Sequence, residues 1–532
     1  MSKHFVFVAA ENDGIKNCKA GGMGDVVRDV PGEIAKSGHQ ISVITPAYGR
    51  LHLQDSKLVK KIPLLFRGNR ITVDLYAVTA KNPNPRIHHY VVHHEAITSG
   101  NLAQIYHHDT DEPFATDANK FALFCRAVAK ILKEDLVGKA DIVHLHDWHT
   151  ALILLLRASH PYFKSLQNIR FVFSIHNLAL QGIRPITNNA SSLRAWYPEL
   201  EFDENLVSDT RYTHCINLMG IGIRLADAIH TVSPTYKNEI LMPSEPPVFI
   251  GGEGLENDLV RADTEKRLFG ILNGIHYHKN ANQAEGTLLE NCMSAIFNWL
   301  TIKDTNINSD FLVHTGKKLA TMFEKKPSFI AASVARLTDQ KFFLYKKYPE
   351  VFGLMLDKLK SINGIYILLG TGDLSYDAYF KEISHLYQNF IFINGQSDAV
   401  VGSIYREADL YLMPSLFEPC GISQMLAMQH GQPCLVHNTG GLKDTVGHMI
   451  NGFTFGGGTT FMKAKNMLAT FEEAIDMYLS NPEEWMKISK LAMQARFDWA
   501  KSVDRYFTHL YNLPDLHTMV SSDVSLKKIA TN

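Results

Sequence analysis

The sequence predicts an α/β protein made of two doubly wound domains, and two observations carry that prediction. Short runs rich in Val, Ile and Phe alternate with helical patterns, and they do so in two separate series. The chain is also 532 residues long, more than a single hydrophobic core usually serves.

The first series comprises HFVFVAA from residue 4, ISVITPAY from 41, DIVHLHD from 141, FVFSIHN from 171 and AIHTVSP from 228. The second comprises FIAASVARL from 329, GIYILLGTG from 364, FIFINGQ from 390, LYLMPS from 410 and CLVHNTGG from 434. Runs bounded by Gly, Pro or Asn and separated by helical patterns read as parallel strands joined by crossover helices. Between the series, GILNGI at 270 leads into the polar HYHKNANQAEG, so the boundary is set near 275. The expected domains are 1–275 and 276–498. Residues 499–532 are read as a closing helix, carried by DWAKSVDRYFTHLYN from 498, and a polar tail, together packing back on the first domain.

Composition removes several function classes. Lys and Arg number 53 against 54 Asp and Glu, which gives none of the field of a nucleic-acid or membrane-surface binder. The apolar run at the N-terminus is shorter than a signal-peptide core, and no stretch approaches the ~18 apolar residues of a membrane span. Six scattered cysteines form no C-x-x-C pair, which fits a reducing cytoplasm.

In open α/β sheets, ligands bind outside the carboxyl ends of the strands. The unusual polar motifs fall there. AGGMGDVV from 20 follows the first strand, so Gly22 and the helix N-terminus offer N–H groups to an anion beside Lys19; an ordinary βα turn would look the same. SVARLTDQKF from 333 puts Arg336 and Lys341 past a strand, where paired cations stabilise a departing diphosphate or serve as solvated loop charges. FEPCG sets Glu418 at a strand-to-helix junction, suited to sugar hydroxyls, to positive charge at an anomeric carbon, or only to a helix dipole. NTGGLKDTV from 438 repeats the glycine-after-strand pattern with Thr439, Gly440 and Gly441, whose backbone N–H groups suit a phosphate or a sugar or form only a tight turn.

HLHDWHT from 144 and SIHN from 174 bring His146, Asp147, His149, His176 and Asn177 to neighbouring strand ends. Three histidines and an aspartate also match a zinc set. The carboxylate and amide suit sugar hydroxyls equally, no cysteine joins them, and no metal site is expected. A core role is the alternative for His146 or His149.

Taken in order, AGGMGDVV, HLHDWHT, FSIHN, TVSPTY, GILNGI, ARLTDQK, LLGTGD, FEPCG and TGGLKDTV resemble the bacterial glycogen synthases and plant starch synthases over residues 4 to 510. The resemblance implies the GT-B fold, two Rossmann-like domains facing across a cleft. It also implies retaining transfer of glucose from a nucleotide sugar to the nonreducing end of an α-1,4-glucan, without a cofactor. On that pattern Lys19 and Gly22 hold the donor phosphates, Arg336 and Lys341 face them, and Asn273 lies on the hinge side. Asp147, His176 and Asn177 line the glucose pocket opposite Glu418, with Cys420 and Gly421 completing its wall, and Thr439, Gly440 and Gly441 are expected to bind the donor.

ADP-glucose is the expected donor, with UDP-glucose the alternative and Gln396 a candidate near the base. The other readings are a noncatalytic glucan- or nucleotide-sugar-binding homologue and a phosphorylase, whose pyridoxal-bearing lysine no segment requires. The sequence departs from the family pattern at Phe342, where Gly is usual and a bulky side chain would shift the loop or fill part of the pocket. Further departures are His276 in place of Asp, Gly220 in place of Lys, and a Glu11 to Lys19 spacing about two residues longer than usual. The histidines at 88, 89, 93, 94, 107 and 108 are read as a solvated surface, and the segment 277–315 matches no motif.

Overall fold

HFVFV at the N-terminus forms β1 (His4–Val8), whose Phe5, Val6, Phe7 and Val8 are fully buried, as a strand covered on both faces requires. The computed structural model describes residues 2–98, 104–277, 286–301 and 309–514. These form two units: residues up to 244 with 251–274 and those from 499, and residues 245–250 with 275–498.

The first unit continues with β2 (Gln40–Pro46), β3 (Ser56–Phe66), β4 (Asn69–Val78), β5 (Ile87–His93), β6 (Ile142–His146), β7 (Arg170–Ile175), β8 (Ile183–Pro185), β9 (Cys215–Asn217), β10 (Ala228–Thr231) and β11 (Leu268–Gly270). Nine of these make one sheet in the order β11-β10-β7-β6-β1-β2-β5-β4-β3, parallel from β11 to β5. The strand order reverses between β1 and β6, which is the topological switch point.

The antiparallel β3–β4 hairpin has no counterpart in the predicted series. Its two-residue turn, Arg67-Gly68, has φ of 54° and 72°, the left-handed pair that matches strand twist. Exposed Lys57, Lys60 and Lys61 and a bulge near Leu58 protect its outer edge from further pairing. The same region corrects the reading of its histidines. His88 is exposed, but His89 is buried with Nδ1 against the Asn12 amide at 2.9 Å, and His93 stacks on His52 at 3.7 Å.

The helix Gly22–Lys36 buries Met23, Val26, Val27, Val30 and Ile34, one face at helical spacing. That face meets Trp499, Val503, Phe507 and Leu510 from the closing helix Trp499–Arg505 and the turn after it. Each such side chain contributes about 1.5–3 kcal/mol on burial. Trp499 Nε1 also donates to Asp29 at 3.0 Å, so its polar atom is satisfied.

The second unit holds β12 (Phe329–Val334), β13 (Gly364–Leu369), β14 (Phe390–Ile393), β15 (Leu410–Met413), β16 (Cys434–His437) and β17 (Gly452–Phe455). All are parallel, in the order β14-β13-β12-β15-β16-β17. This is the 3-2-1-4-5-6 arrangement of a doubly wound sheet, with its switch point between β12 and β15. Within the unassigned 277–315 segment, residues 278–285 and 302–308 lie outside the described residues. The helix Leu288–Thr301 packs on the β14 side of this unit: Leu288 N donates to Glu407 and Asn291 Nδ2 to Ser403. No described helix is long and apolar enough to cross a membrane.

Candidate active site

The second unit's switch point gathers its charged candidates. Arg336 lies two residues past β12, exposed, and makes no hydrogen bond or ion pair among the described residues. Lys341 sits in the first turn of the helix Asp339–Lys347 and pairs through Nζ with Glu418 Oε2, in the loop after β15. Both partners are largely buried, with side-chain exposures of 15% and 8%. Loss of either would leave a charge in a poorly solvated place. Ser415 Oγ donates to the same Glu418 oxygen at 3.2 Å.

The loop carrying Glu418 is held from three sides. His437 at the end of β16 directs Nδ1 at the carbonyls of Ser415 and Leu416, 2.8 and 3.1 Å away. Burial pushes the His437 imidazole down to about 4, so it is a neutral donor here. Gln340 is bound to the backbone of Leu416 and Phe417, and Gly441 N donates to Glu418 O at 3.1 Å. A Cβ on Gly441 would lie 2.2 Å from the Cys420 carbonyl oxygen, so the two loops approach as closely as glycine permits. Gly421 has φ of +74°, and Gln424 Nε2 donates to its carbonyl at 2.8 Å. Thr439 precedes the short helix Gly440–Thr445, placing Thr439, Gly440 and Gly441 beside Cys420 and Gly421.

The first unit's switch point is built differently. Asp147, directly after β6, has φ 55° and ψ 179°, a conformation costly for any residue but glycine. Its N–H donates to Ser174 O at 2.9 Å, and its carboxylate accepts the backbone N–H groups of His176 (2.7 Å) and Asn177. Those bonds hold the strained residue in place. Burial nevertheless pushes its carboxyl up to about 7. His176 Nε2 lies 2.9 Å from His146 Nδ1, and burial lowers His176 to about 3 and His146 well below its usual value. These are neutral rings that offer hydrogen bonds without charge. Among the described residues, no group of three or more His, Cys, Asp or Glu could hold a metal ion.

Around β1, Lys19 Nζ pairs with Asp25 at 2.7 Å while Gly22 opens its helix, exposed. The expectation of free N–H groups at this turn is corrected in part. Ala20 N and Gly21 N are taken by Glu11 Oε2 at 2.8 and 2.5 Å, and Tyr106 OH donates to the other Glu11 oxygen at 2.7 Å. Asn273, after β11, is buried with an Oδ1 that has no hydrogen-bond partner among the described residues.

Comparison with known proteins sorts these two constellations. Residues 4–261 match the starch synthase catalytic domain, and residues 323–494 match glycosyl transferases group 1. The glycogen synthase of Alkaliphilus metalliredigens is 32% identical over 92% of this chain and 95% of its own, and that of Desulfitobacterium hafniense 31% over the same shares. The chain belongs to the glycogen synthase family. The catalytic domain of starch synthase IV from Arabidopsis thaliana, solved with ADP and acarbose, superposes with a TM-score of 0.75 over 96% of this chain and 99% of that one at 24% identity, which shows a common GT-B fold. Within this family of glycosyltransferases, the Phe342 departure has a structural answer. Phe342 leaves helical geometry (φ −130°, ψ 16°) and turns its ring into the unit's core, 5.2 Å from Phe380, with 1% exposure. Lys341 beside it keeps its pair with Glu418.

Sequence reasoning named Lys341 and Glu418, which the structure joins, and Asp147, His176 and Asn177, which it joins in the other unit. His149 belongs to the core, its ring between Phe121 and Trp148. Gln396 is exposed in the loop after β14. The reading missed Glu11 and Tyr106, whose link spans 95 residues, and the buried chain His144–Ser174–His230, with bonds of 2.7 and 2.8 Å. The i, i+2 spacing of His144 and His146 on one strand was the available signal for the latter.

Proposed function

We propose that the chain transfers glucose with retention from ADP-glucose to the nonreducing end of an α-1,4-glucan. The observation that carries this reading is the Lys341–Glu418 pair beside exposed Arg336 at the switch point of the second unit, in a chain whose relatives are named glycogen synthases. ADP is preferred over UDP because the starch synthase of like fold was solved with ADP. The cytoplasm is the proposed compartment, supported by six cysteines that are all free thiols.

In this reading Arg336 and Lys341 receive the charge that builds on the diphosphate as the C1–oxygen bond breaks. The acceptor 4-hydroxyl oxygen bonds to C1 on the face the diphosphate leaves, and its proton passes to a diphosphate oxygen, so no separate base is required. Lys19 and the Gly22 backbone serve the phosphates. Asp147, part protonated near neutral pH, can both donate to and accept from a sugar hydroxyl, with neutral His176 and Asn177 beside it. Glu418 anchors Lys341 and, with Cys420, Gly421, Thr439, Gly440, Gly441 and Asn273, completes the donor contacts.

The test is incubation of the purified chain with radiolabelled ADP-glucose or UDP-glucose and a glucan primer. The expected result is incorporation, faster from ADP-glucose, and its loss in Glu418→Ala. Incorporation from UDP-glucose alone would replace the donor. None from either would leave the noncatalytic binding reading in its place.

A further inference from the structure

The helix Leu288–Thr301 lies between the segments matched at 4–261 and 323–494, so neither family pattern accounts for it. Its buried face is Leu288, Cys292, Ala295 and Ile296, and half-buried Trp299 continues that face by one more turn. The helix runs antiparallel along the helix Asp398–Glu407 and stays in register with it. Leu288 N donates to Glu407 Oε2 at 2.8 Å, Asn291 Nδ2 donates to Ser403 Oγ at 2.6 Å, and the Trp299 ring reaches Gly395 in the loop before that helix. A Cβ on Gly395 would lie 2.4 Å from the ring, so the indole rests directly on the loop backbone.

The loop so supported follows β14, at the carboxyl ends of the strands where ligands of such sheets bind. Arg336 follows β12 and Glu418 follows β15, and on the far side of Glu418 the Gly441 backbone closes against Cys420. A diphosphate at Arg336 and Lys341 with its glucose toward Glu418 therefore directs its nucleoside over β13 and β14. Two strand spacings of about 4.8 Å separate β12 from β14, which is the reach of a ribose and a base beyond the phosphates. Exposed Gln396, next to Gly395, offers a base edge both an amide donor and a carbonyl acceptor. Asn394, on the other side of Gly395, is tied down by its Nδ2 donating to Asp377 at 2.6 Å.

We propose that Trp299 is a positioning residue for the donor's base: its ring holds the Gly395 backbone, and with it Gln396, where the base of the nucleotide meets the second unit. The inference rests on the reading that a nucleotide sugar is the donor. A loop held in its bound form before the nucleotide arrives loses less freedom on binding, so the contribution falls on affinity and not on the bond-breaking step.

The test compares Trp299→Ala, Trp299→Phe and Gly395→Ala, the last driving a Cβ into the ring, with the wild-type chain. Binding of ADP and of inorganic pyrophosphate is measured by calorimetry, and kcat and KM are measured for ADP-glucose. Trp299→Ala and Gly395→Ala should each weaken ADP binding and raise the donor KM several-fold, with pyrophosphate affinity and kcat unchanged, and Trp299→Phe should keep most of the wild-type affinity. ADP affinity equal to wild type in both Trp299→Ala and Gly395→Ala would overturn the proposal. An equal loss of ADP and pyrophosphate binding would overturn it too, since it marks a general loosening of the unit. If the wild type binds ADP but transfers no glucose, and Trp299→Ala still weakens ADP alone, the transfer reading fails and this one stands.

Discussion

The two switch points share a topology and differ in charge. In the second unit, an exposed arginine and a lysine–glutamate pair follow β12 and β15. In the first, β6 and β7 end in a carboxyl raised toward neutrality and in imidazoles that burial keeps uncharged. The same strand-end geometry therefore offers either formal charge, suited to phosphates, or uncharged hydrogen-bonding groups, suited to hydroxyls. What distinguishes them is burial and the partners each side chain meets.

The largest consequence concerns acid. His144, His146, His149, His176 and His230 in the first unit are all held neutral by burial, with His230 at about 4, whereas His437 is the deeply buried counterpart in the second. Each has a folded value below its unfolded value, so its contribution is present above about pH 6.5 and is lost as pH falls through the folded value. A shift like that of His230 corresponds to about 3 kcal/mol. Hydrogen exchange resolved by peptide between pH 7 and 4 should show the first unit losing protection before the second. Simultaneous loss would erase the contrast.

Phe342→Ala sharpens the comparison from the side of packing. Truncating this core ring should cost about 3–5 kcal/mol in urea unfolding, with the second unit's transition moved and turnover of the remaining folded protein little changed. A change in turnover larger than in stability would place the ring in the site. Asp147→Asn tests the opposite sign to the histidines. The raised carboxyl contributes stability that is full below about pH 3.9 and is lost as pH rises through about 7. The wild type should therefore gain on the variant by about 3 kcal/mol as pH falls from 7 to 4. The smallest effect is expected of Lys19→Ala, whose half-exposed pair with Asp25 contributes no more than about 1 kcal/mol. Its donor KM should rise while its unfolding midpoint stays.

Much of this was legible beforehand, for physical reasons that differ by region. Buried parallel strands read as near-continuous apolar runs, so β1, β6, β7 and β12 through β16 stood out. The β3–β4 hairpin did not, because its strand of Lys57, Lys60 and Lys61 is too polar to register, and β17 did not because GFTF offers only two large apolar side chains. The site motifs were legible because βα turns concentrate Gly and charge. What remained hidden depends on long-range meetings: Tyr106 on Glu11, His437 under the Ser415 carbonyl, and Phe342 in the core. No local pattern encodes the direction in which Phe342 turns.

The central claim is that Arg336 and Lys341 act on the leaving diphosphate. Single-turnover transfer from ADP-glucose to a maltooligosaccharide, measured with donor affinity in Arg336→Ala and Lys341→Ala, tests it most directly. The account predicts a rate lower by roughly 10²–10³-fold in each, with donor affinity changed far less. Wild-type rates in both variants would contradict it.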